Sequence, residues 1–216
     1  LIIHFDGSDQ QFIAALDKNT GKLAWKTPRS GKMNERGQLK KAYGTPLVVN
    51  ISGKPVAVFK THEDAPRVRP VADAERIYLS TSFGKSKMIA LKHAGVKTPE
   101  IVWQNNKNAP KMSSPVLHGD LLFYVDDGGI VSCVDVKTGE ALYRERLGGK
   151  FSSSPILADG KLYFCSREGV VSVVEAAKQF KILAQNKLDG QIMASPAAFD
   201  GTLFIRTDKA LYRIGR

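Results

Sequence analysis

The dipeptide Ser-Pro recurs at Ser114-Pro115, Ser154-Pro155 and Ser195-Pro196, with the prolines 40 and 41 residues apart and a short apolar stretch after each. A sequence that returns to itself at such an interval builds one supersecondary unit per repeat and stacks the units into a common core. An interval of about 40 residues is what one four-stranded antiparallel blade of a β-propeller requires. The residues behind each Ser-Pro fit that reading. Val116-Leu117-His118-Gly119-Asp120-Leu121-Leu122-Phe123-Tyr124, Ile156 to Phe164 and Ala197 to Ile205 all read as strand, tight turn, strand. Gly beside Asp in His118-Gly119-Asp120, Asp159-Gly160 and Asp200-Gly201 supplies the positive φ that a two-residue hairpin demands, and this fixes the strand register. A second turn, at Asp126-Asp127-Gly128-Gly129 or Arg167-Glu168-Gly169, leads into a third apolar strand.

One repeat then closes with Asp135-Val136-Lys137-Thr138-Gly139-Glu140-Ala141-Leu142-Tyr143, and Asp17-Lys18-Asn19-Thr20-Gly21-Lys22-Leu23-Ala24-Trp25 is its counterpart near the start. The shared pattern is Asp-x-x-Thr-Gly-x-x-x-aromatic. The Asp carboxylate can accept backbone N–H groups two residues on, Thr caps the loop and Gly takes the left-handed position, a tight turn into the outermost strand. Trp103 stands twelve residues before Pro115, as Tyr143 stands twelve before Pro155, and so holds the same position after a longer turn.

These residues resemble the propellers of pyrroloquinoline-quinone-like repeats, which include quinoprotein dehydrogenases and the outer-membrane assembly lipoprotein. The resemblance covers nearly the whole chain. It implies that Trp25, Trp103 and Tyr143, with the turns at Asp17, Thr20 and Gly21 and at Asp135, Thr138 and Gly139, dock one blade on the next. The repeat after Tyr143 departs from the pattern. It has Glu175-Ala176-Ala177-Lys178-Gln179-Phe180 in place of the Thr-Gly turn and Ala184 at the aromatic position, so its docking is expected to be weaker or differently made.

The expected fold is therefore all-β, a single propeller domain over 1–216. Five repeat starts, at Pro46, Pro70, Pro115, Pro155 and Pro196, with a half-blade before them, give five to six blades, some partial. Closed rings in the family have about seven or eight, so the chain reads as the C-terminal part of a larger propeller. Pro46 and Pro70 lie only 24 residues apart, which predicts a missing strand pair between Phe59 and Val68. Residues 30–43 read as an inserted loop.

The formal charge of +11 favours acidic partners. The cations are nevertheless dispersed. Their densest cluster, Lys26, Arg29, Lys32, Arg36, Lys40 and Lys41, has no aromatic interleaved within it and Tyr43 just beyond, which argues for a solvated loop and against a single-strand nucleic-acid groove. No apolar run is long enough for a membrane-spanning helix. Cys133 and Cys165 lie in apolar strand patterns without metal-ligand spacing and read as buried small hydrophobes, bridged only if their strands are neighbours.

No catalytic constellation is legible. His4, His62, His93 and His118 stand singly, Asp126-Asp127 reads as solvated turn acids, and there is no nucleophile elbow or zinc motif. The family resemblance implies, for its dehydrogenases, a quinone held against Trp with Ca²⁺ on carboxylate oxygens, and no such set can be read here. If the propeller binds something, the innermost strands direct attention to the mouth formed ahead of each Ser-Pro. This selects Arg67, Arg69, Lys111, Met112, Ser113, Phe151, Ser152, Ser153, Ile192 and Met193. The alternative for the serines is that they only shape the start of the strand. The expectation is a monomeric, non-catalytic scaffold without cofactor that engages a protein or carbohydrate partner and, by the resemblance, is periplasmic or extracellular. The rival is a quinone- and calcium-dependent dehydrogenase with ligands outside this sequence.

Overall fold

The computed structural model describes residues 1–7, 9–28, 44–51, 53–58, 68–81, 86–96 and 98–215. The expected loop at 30–43, the segment 59–67 with Arg67 and His62, and every cation of the basic cluster except Lys26 lie outside the described residues. Lys26 places its ammonium 3.9 Å over the Phe12 ring.

All regular structure among the described residues is antiparallel strand, arranged as successive blades of a β-propeller. The first sheet holds β1 (Ile2–Asp6), β2 (Gln11–Leu16) and β3 (Leu23–Pro28), and the second β4 (Leu47–Ile51) and β5 (Lys54–Val58). Three sheets have four strands. They are β6 (Val71–Ala72), β7 (Arg76–Ser80), β8 (Met88–Lys92) and β9 (Glu100–Asn105); β10 (Val116–His118), β11 (Leu121–Val125), β12 (Ile130–Asp135) and β13 (Ala141–Arg146); and β14 (Ile156–Ala158), β15 (Lys161–Cys165), β16 (Val170–Glu175) and β17 (Ile182–Lys187). The sixth sheet holds β18 (Ala197–Phe199), β19 (Thr202–Arg206) and β20 (Leu211–Ile214).

The hairpin glycines behave as the sequence predicts. Ala158 pairs with Lys161 across Asp159-Gly160, whose φ angles are 50° and 68°, and Phe199 pairs with Thr202 across Asp200-Gly201 at 47° and 67°. Positive φ at both central residues gives the hairpin the twist of its strands. The ladders β2–β3, β8–β9, β12–β13 and β16–β17 also carry a bulge at one equivalent place: Ala15/Leu16, Ala90/Leu91, Cys133/Val134 and Val173/Val174. The extra residue there bends the outer part of the blade into its closing turn.

That turn is built as its residues require. Asp135 Oδ1 accepts from Lys137 N at 2.8 Å and Thr138 N at 3.1 Å, while Gly139, at φ 74°, donates to the Asp135 carbonyl at 2.8 Å. Asp17 repeats the arrangement with Asn19 N at 3.0 Å and Thr20 N at 2.8 Å. Partial burial alone would raise the Asp135 pKa, but the N–H groups of Thr138 and Lys137 hold it below its ordinary value. A carboxyl whose pKa is depressed on folding contributes stability above its unfolded value and loses it as pH falls through the folded value. Asp135→Asn is therefore expected to lower the urea midpoint at neutral pH and to leave it closer to wild type below the ordinary aspartate pKa of 3.8. An equal loss at both pH values would contradict this account of the turn.

The core lies between blades. Tyr78, Met88, Ala90 and Trp103 of the third sheet meet Leu122, Tyr124, Val134 and Val136 of the fourth. Leu121, Phe123, Val125, Val131 and Cys133 meet Leu162, Phe164 and Val174 of the fifth. The Trp103 indole N–H donates to the Val136 carbonyl at 2.8 Å, and its ring covers Gly139, where an added Cβ would stand 2.5 Å from the ring. The docking implied for Trp103 is thus a tryptophan seated on the next blade's Thr-Gly turn. Tyr143 meets a turn without that glycine and instead packs edge-on against Phe180, with ring centroids 5.4 Å apart. A smaller aromatic on one blade is matched by an added aromatic on the next. Trp25, by contrast, is 42% exposed.

The fifth and sixth sheets, where Ala184 replaces the aromatic, share a core of only four buried residues, Cys165, Val171, Ile192 and Ile205. Tyr212 adds a hydroxyl bond back to the Asp189 carbonyl at 3.3 Å. Docking there is made differently, from the sixth sheet's side.

Cys133 and Cys165 are free, fully buried thiols in two different inter-blade cores. Burial pushes each thiol up to about 12, so neither forms a thiolate at ordinary pH. Both are expected to stay unreactive toward a thiol reagent in the native protein and to react in full after denaturation. Stoichiometric labelling of the native protein would contradict their placement.

Candidate binding site at the channel mouth

The first strands of successive blades lie side by side, β6 next to β10, β10 next to β14 and β14 next to β18, and so form the innermost layer. The segments that feed them carry the Ser-Pro motifs and are held by two sets of repeated bonds. In the first set, the backbone N–H of each residue before proline donates to the motif serine of the next blade. Arg69 N donates to Ser114 Oγ, Ser114 N to Ser154 Oγ and Ser154 N to Ser195 Oγ, each at 2.9 Å. The motif serines therefore do more than shape the strand start: their hydroxyls form a blade-to-blade belt. Arg69, which occupies the serine position of the third sheet, has no side-chain acceptor to offer a preceding blade.

In the second set, the turns between second and third strands grip the connecting segments. Phe151 N donates to the Asp127 carbonyl at 3.2 Å and Arg167 N to the Lys150 carbonyl at 2.7 Å; one blade on, Ile192 N donates to the Arg167 carbonyl at 3.3 Å and Asp208 N to the Gln191 carbonyl at 3.0 Å. Carboxylates complete the grip. Asp127 accepts from Lys111 N at 3.2 Å, Glu168 from Lys150 N at 3.1 Å and Asp208 from Gln191 N at 2.7 Å. Partial burial opposes ionisation of Glu168, but the bond from Lys150 N keeps its carboxyl below the usual range. Asp126 accepts from Gly128 N and Ile130 N, both at 2.9 Å, and from Asn108 Nδ2 at 2.7 Å. Asp126 and Asp127, read from sequence as solvated turn acids, are structural acceptors.

The residues expected at the mouth divide into two groups. Phe151 and Ile192 are buried as wedges in the cores between fourth and fifth and between fifth and sixth sheets. Ser113 and Ser153 are buried too, with Ser113 Oγ bonded to the Ser153 carbonyl and Ser153 Oγ to the Cys165 carbonyl, both at 2.7 Å. These four are part of the frame. Arg69, Lys111 and Met193 are exposed, and Met112 and Ser152 are half-buried. Ser152 Oγ lies 3.5 Å from Met193 Sδ, and Arg167 Nη2 lies 3.7 Å from Met112 Sδ. Arg167 was not singled out from sequence. Its signal was available, since the equivalent residue is Asp in the fourth and sixth sheets, at Asp127 and Asp208. Beside Met193, a hollow of about 230 Å³ is lined by Gln191, Ala194, Arg206, Thr207 and Asp208.

The described histidines form no site. His93 is buried and its Nε2 lies 3.3 Å from the Asp73 carbonyl, while His4 and His118 lie on the first strands of two different sheets, β1 and β10. Among the described residues no three His, Cys, Asp or Glu side chains converge as a metal site.

Comparison with known proteins agrees with this architecture. The sequence profile of outer membrane protein assembly factor BamB matches residues 87–192, just under half of the chain. The computationally designed Ika8 protein superposes over 100% of this chain and 67% of its own, with a TM-score of 0.67 and 10% identity. BamB from Moraxella catarrhalis aligns over 98% of this chain and 80% of its own (TM-score 0.49, 12% identity). A europium-containing methanol dehydrogenase aligns over 57% of this chain and only 24% of its own (TM-score 0.47, 14% identity). The sequence matches no curated protein. The chain is a β-propeller built of pyrroloquinoline-quinone-like repeats.

Proposed function

We propose that this propeller is a non-catalytic binding protein that engages a polypeptide partner through the mouth ahead of its Ser-Pro motifs, in an exported compartment as the family resemblance implies. The observation that carries this reading is how the mouth's polar groups are committed. The carboxylates of Asp126, Asp127, Glu168 and Asp208 and the hydroxyls of Ser113, Ser114, Ser153, Ser154 and Ser195 all bond the protein's own frame. General acid–base chemistry needs such groups aimed at a substrate. What remains exposed or half-buried is two cations, Arg69 and Lys111, two thioethers, Met112 and Met193, and the single hydroxyl of Ser152. Thioethers on flexible stems suit a surface that adapts to another protein, and a fold shared by enzymes and scaffolds leaves the decision to these side chains.

A dehydrogenase of this fold would need an aromatic platform for the quinone and free carboxylate oxygens for the cation. The described tryptophans do not fit that role. Trp103 is buried with its N–H bonded to Val136, and Trp25 lies on β3, an outer strand. A photo-crosslinking residue at Met193 and another at Phe199, which is 77% exposed on a strand of the sixth sheet, test the binding reading in the native host. One discrete adduct from position 193 that Lys111→Glu suppresses is expected. Adducts from 199 alone, or none from 193, would overturn it.

A further inference from the structure

Within the repeat, the turn residue that follows the second strand by two places has one structural duty. In the fourth sheet Asp127 accepts Lys111 N, and in the sixth Asp208 accepts Gln191 N. In the fifth sheet that duty has moved one residue on, to Glu168, which accepts Lys150 N through both oxygens, at 3.2 and 3.1 Å. Position 167 is thereby released and carries an arginine. The Arg167 guanidinium has little to bond. Among the described residues its Nη2 meets only the thioether of Met112, a weak acceptor. Its Nε is shut off from solvent with no hydrogen-bond partner, and Arg167 makes none of the ion pairs formed among the described residues.

A half-buried cation with an orphaned donor, beside the Met112 thioether at a mouth whose carboxylates are already engaged, is a site short of one anion. We infer that Arg167 is the recognition residue for a carboxylate of an acidic polypeptide segment, with Met112 and Met193 as apolar walls and Ser152 as a further hydrogen-bond partner. This rests on the binding reading of the mouth and names the chemistry of its partner. The planar guanidinium matches a carboxylate bidentately, and the thioethers accommodate the apolar side chain next to it. Recognition of a nucleic-acid backbone draws on an array of cations. Here one guanidinium stands beside the Met112 thioether, with Lys111 next to Met112 in the chain and Arg69 on the segment that leads into the third sheet.

The test uses the full-length protein with ¹³C-methyl methionine, titrated with N-acetyl-aspartate amide and, separately, with the uncharged N-acetyl-asparagine amide. Saturable shifts of the Met112 and Met193 methyl signals with the aspartate probe are expected, while Met88, fully buried in another core, stays still. Arg167→Gln should weaken binding roughly tenfold or more, the loss of a charge-assisted pair, with an unchanged urea midpoint because Glu168 keeps the structural bond. Arg167→Lys should retain part of the affinity. Equal shifts with the asparagine probe, or undiminished binding in Arg167→Gln, would overturn the assignment. Tighter binding of inorganic phosphate than of the aspartate probe would replace it with a phosphate site. If the titration fails while the crosslink from position 193 still forms, the carboxylate site is wrong and the binding mouth survives.

Discussion

Replacing Trp103 by Ala is expected to lower stability by about 3–5 kcal/mol, the range for deleting a buried aromatic. Three terms act together. The ring leaves a cavity in the core between the third and fourth sheets, the Val136 carbonyl loses its donor, and Gly139 loses the surface it is shaped to meet. The mirror-image change, Gly139→Ala, should also be costly, because its φ of 74° and the ring both oppose a Cβ. Trp25→Ala supplies the control. The same residue type in the same motif is 42% exposed there, so its loss should be small beside that of Trp103. Urea denaturation followed by circular dichroism reads all three. Equal costs for the two tryptophans would mean that burial against the next blade's turn is not what the motif contributes.

Phe151→Ala is the second large effect, again about 3–5 kcal/mol. The sequence placed Phe151 among the candidate binding residues of the channel mouth. The structure buries it to 1% exposure beneath that mouth, among Phe123, Cys133, Leu162 and Phe164 of two blades. The two roles separate experimentally. A wedge lowers the urea midpoint and frees Cys133 for labelling, whereas a ligand anchor would leave both unchanged and weaken partner capture alone. The first outcome is expected.

Much of the fold was legible because the repeat is written in residues that have few alternatives. Gly119, Gly160 and Gly201 mark hairpins by their backbone, Asp135 and Thr138 mark the closing turn by their hydrogen bonds, and a 40-residue interval leaves few architectures open. The site was less legible, since a repeat alignment gives position along the chain but not which side of a connecting segment faces the channel. Phe151, Ser152 and Ser153 are consecutive, yet only Ser152 is left outside the frame. The belt formed by Ser114, Ser154 and Ser195 depends on contacts between successive repeats, about 40 residues apart. Arg167 was read as an ordinary turn residue because its meaning lies in a comparison: Asp127 and Asp208 do a job that Glu168 does in its place.

The central claim is that the mouth binds and does not catalyse. It is tested most directly by titrating the full-length protein with pyrroloquinoline quinone, with and without Ca²⁺, and following quinone absorbance. The account predicts no saturable binding under either condition. Stoichiometric binding that requires Ca²⁺ would contradict it and make the propeller a quinoprotein.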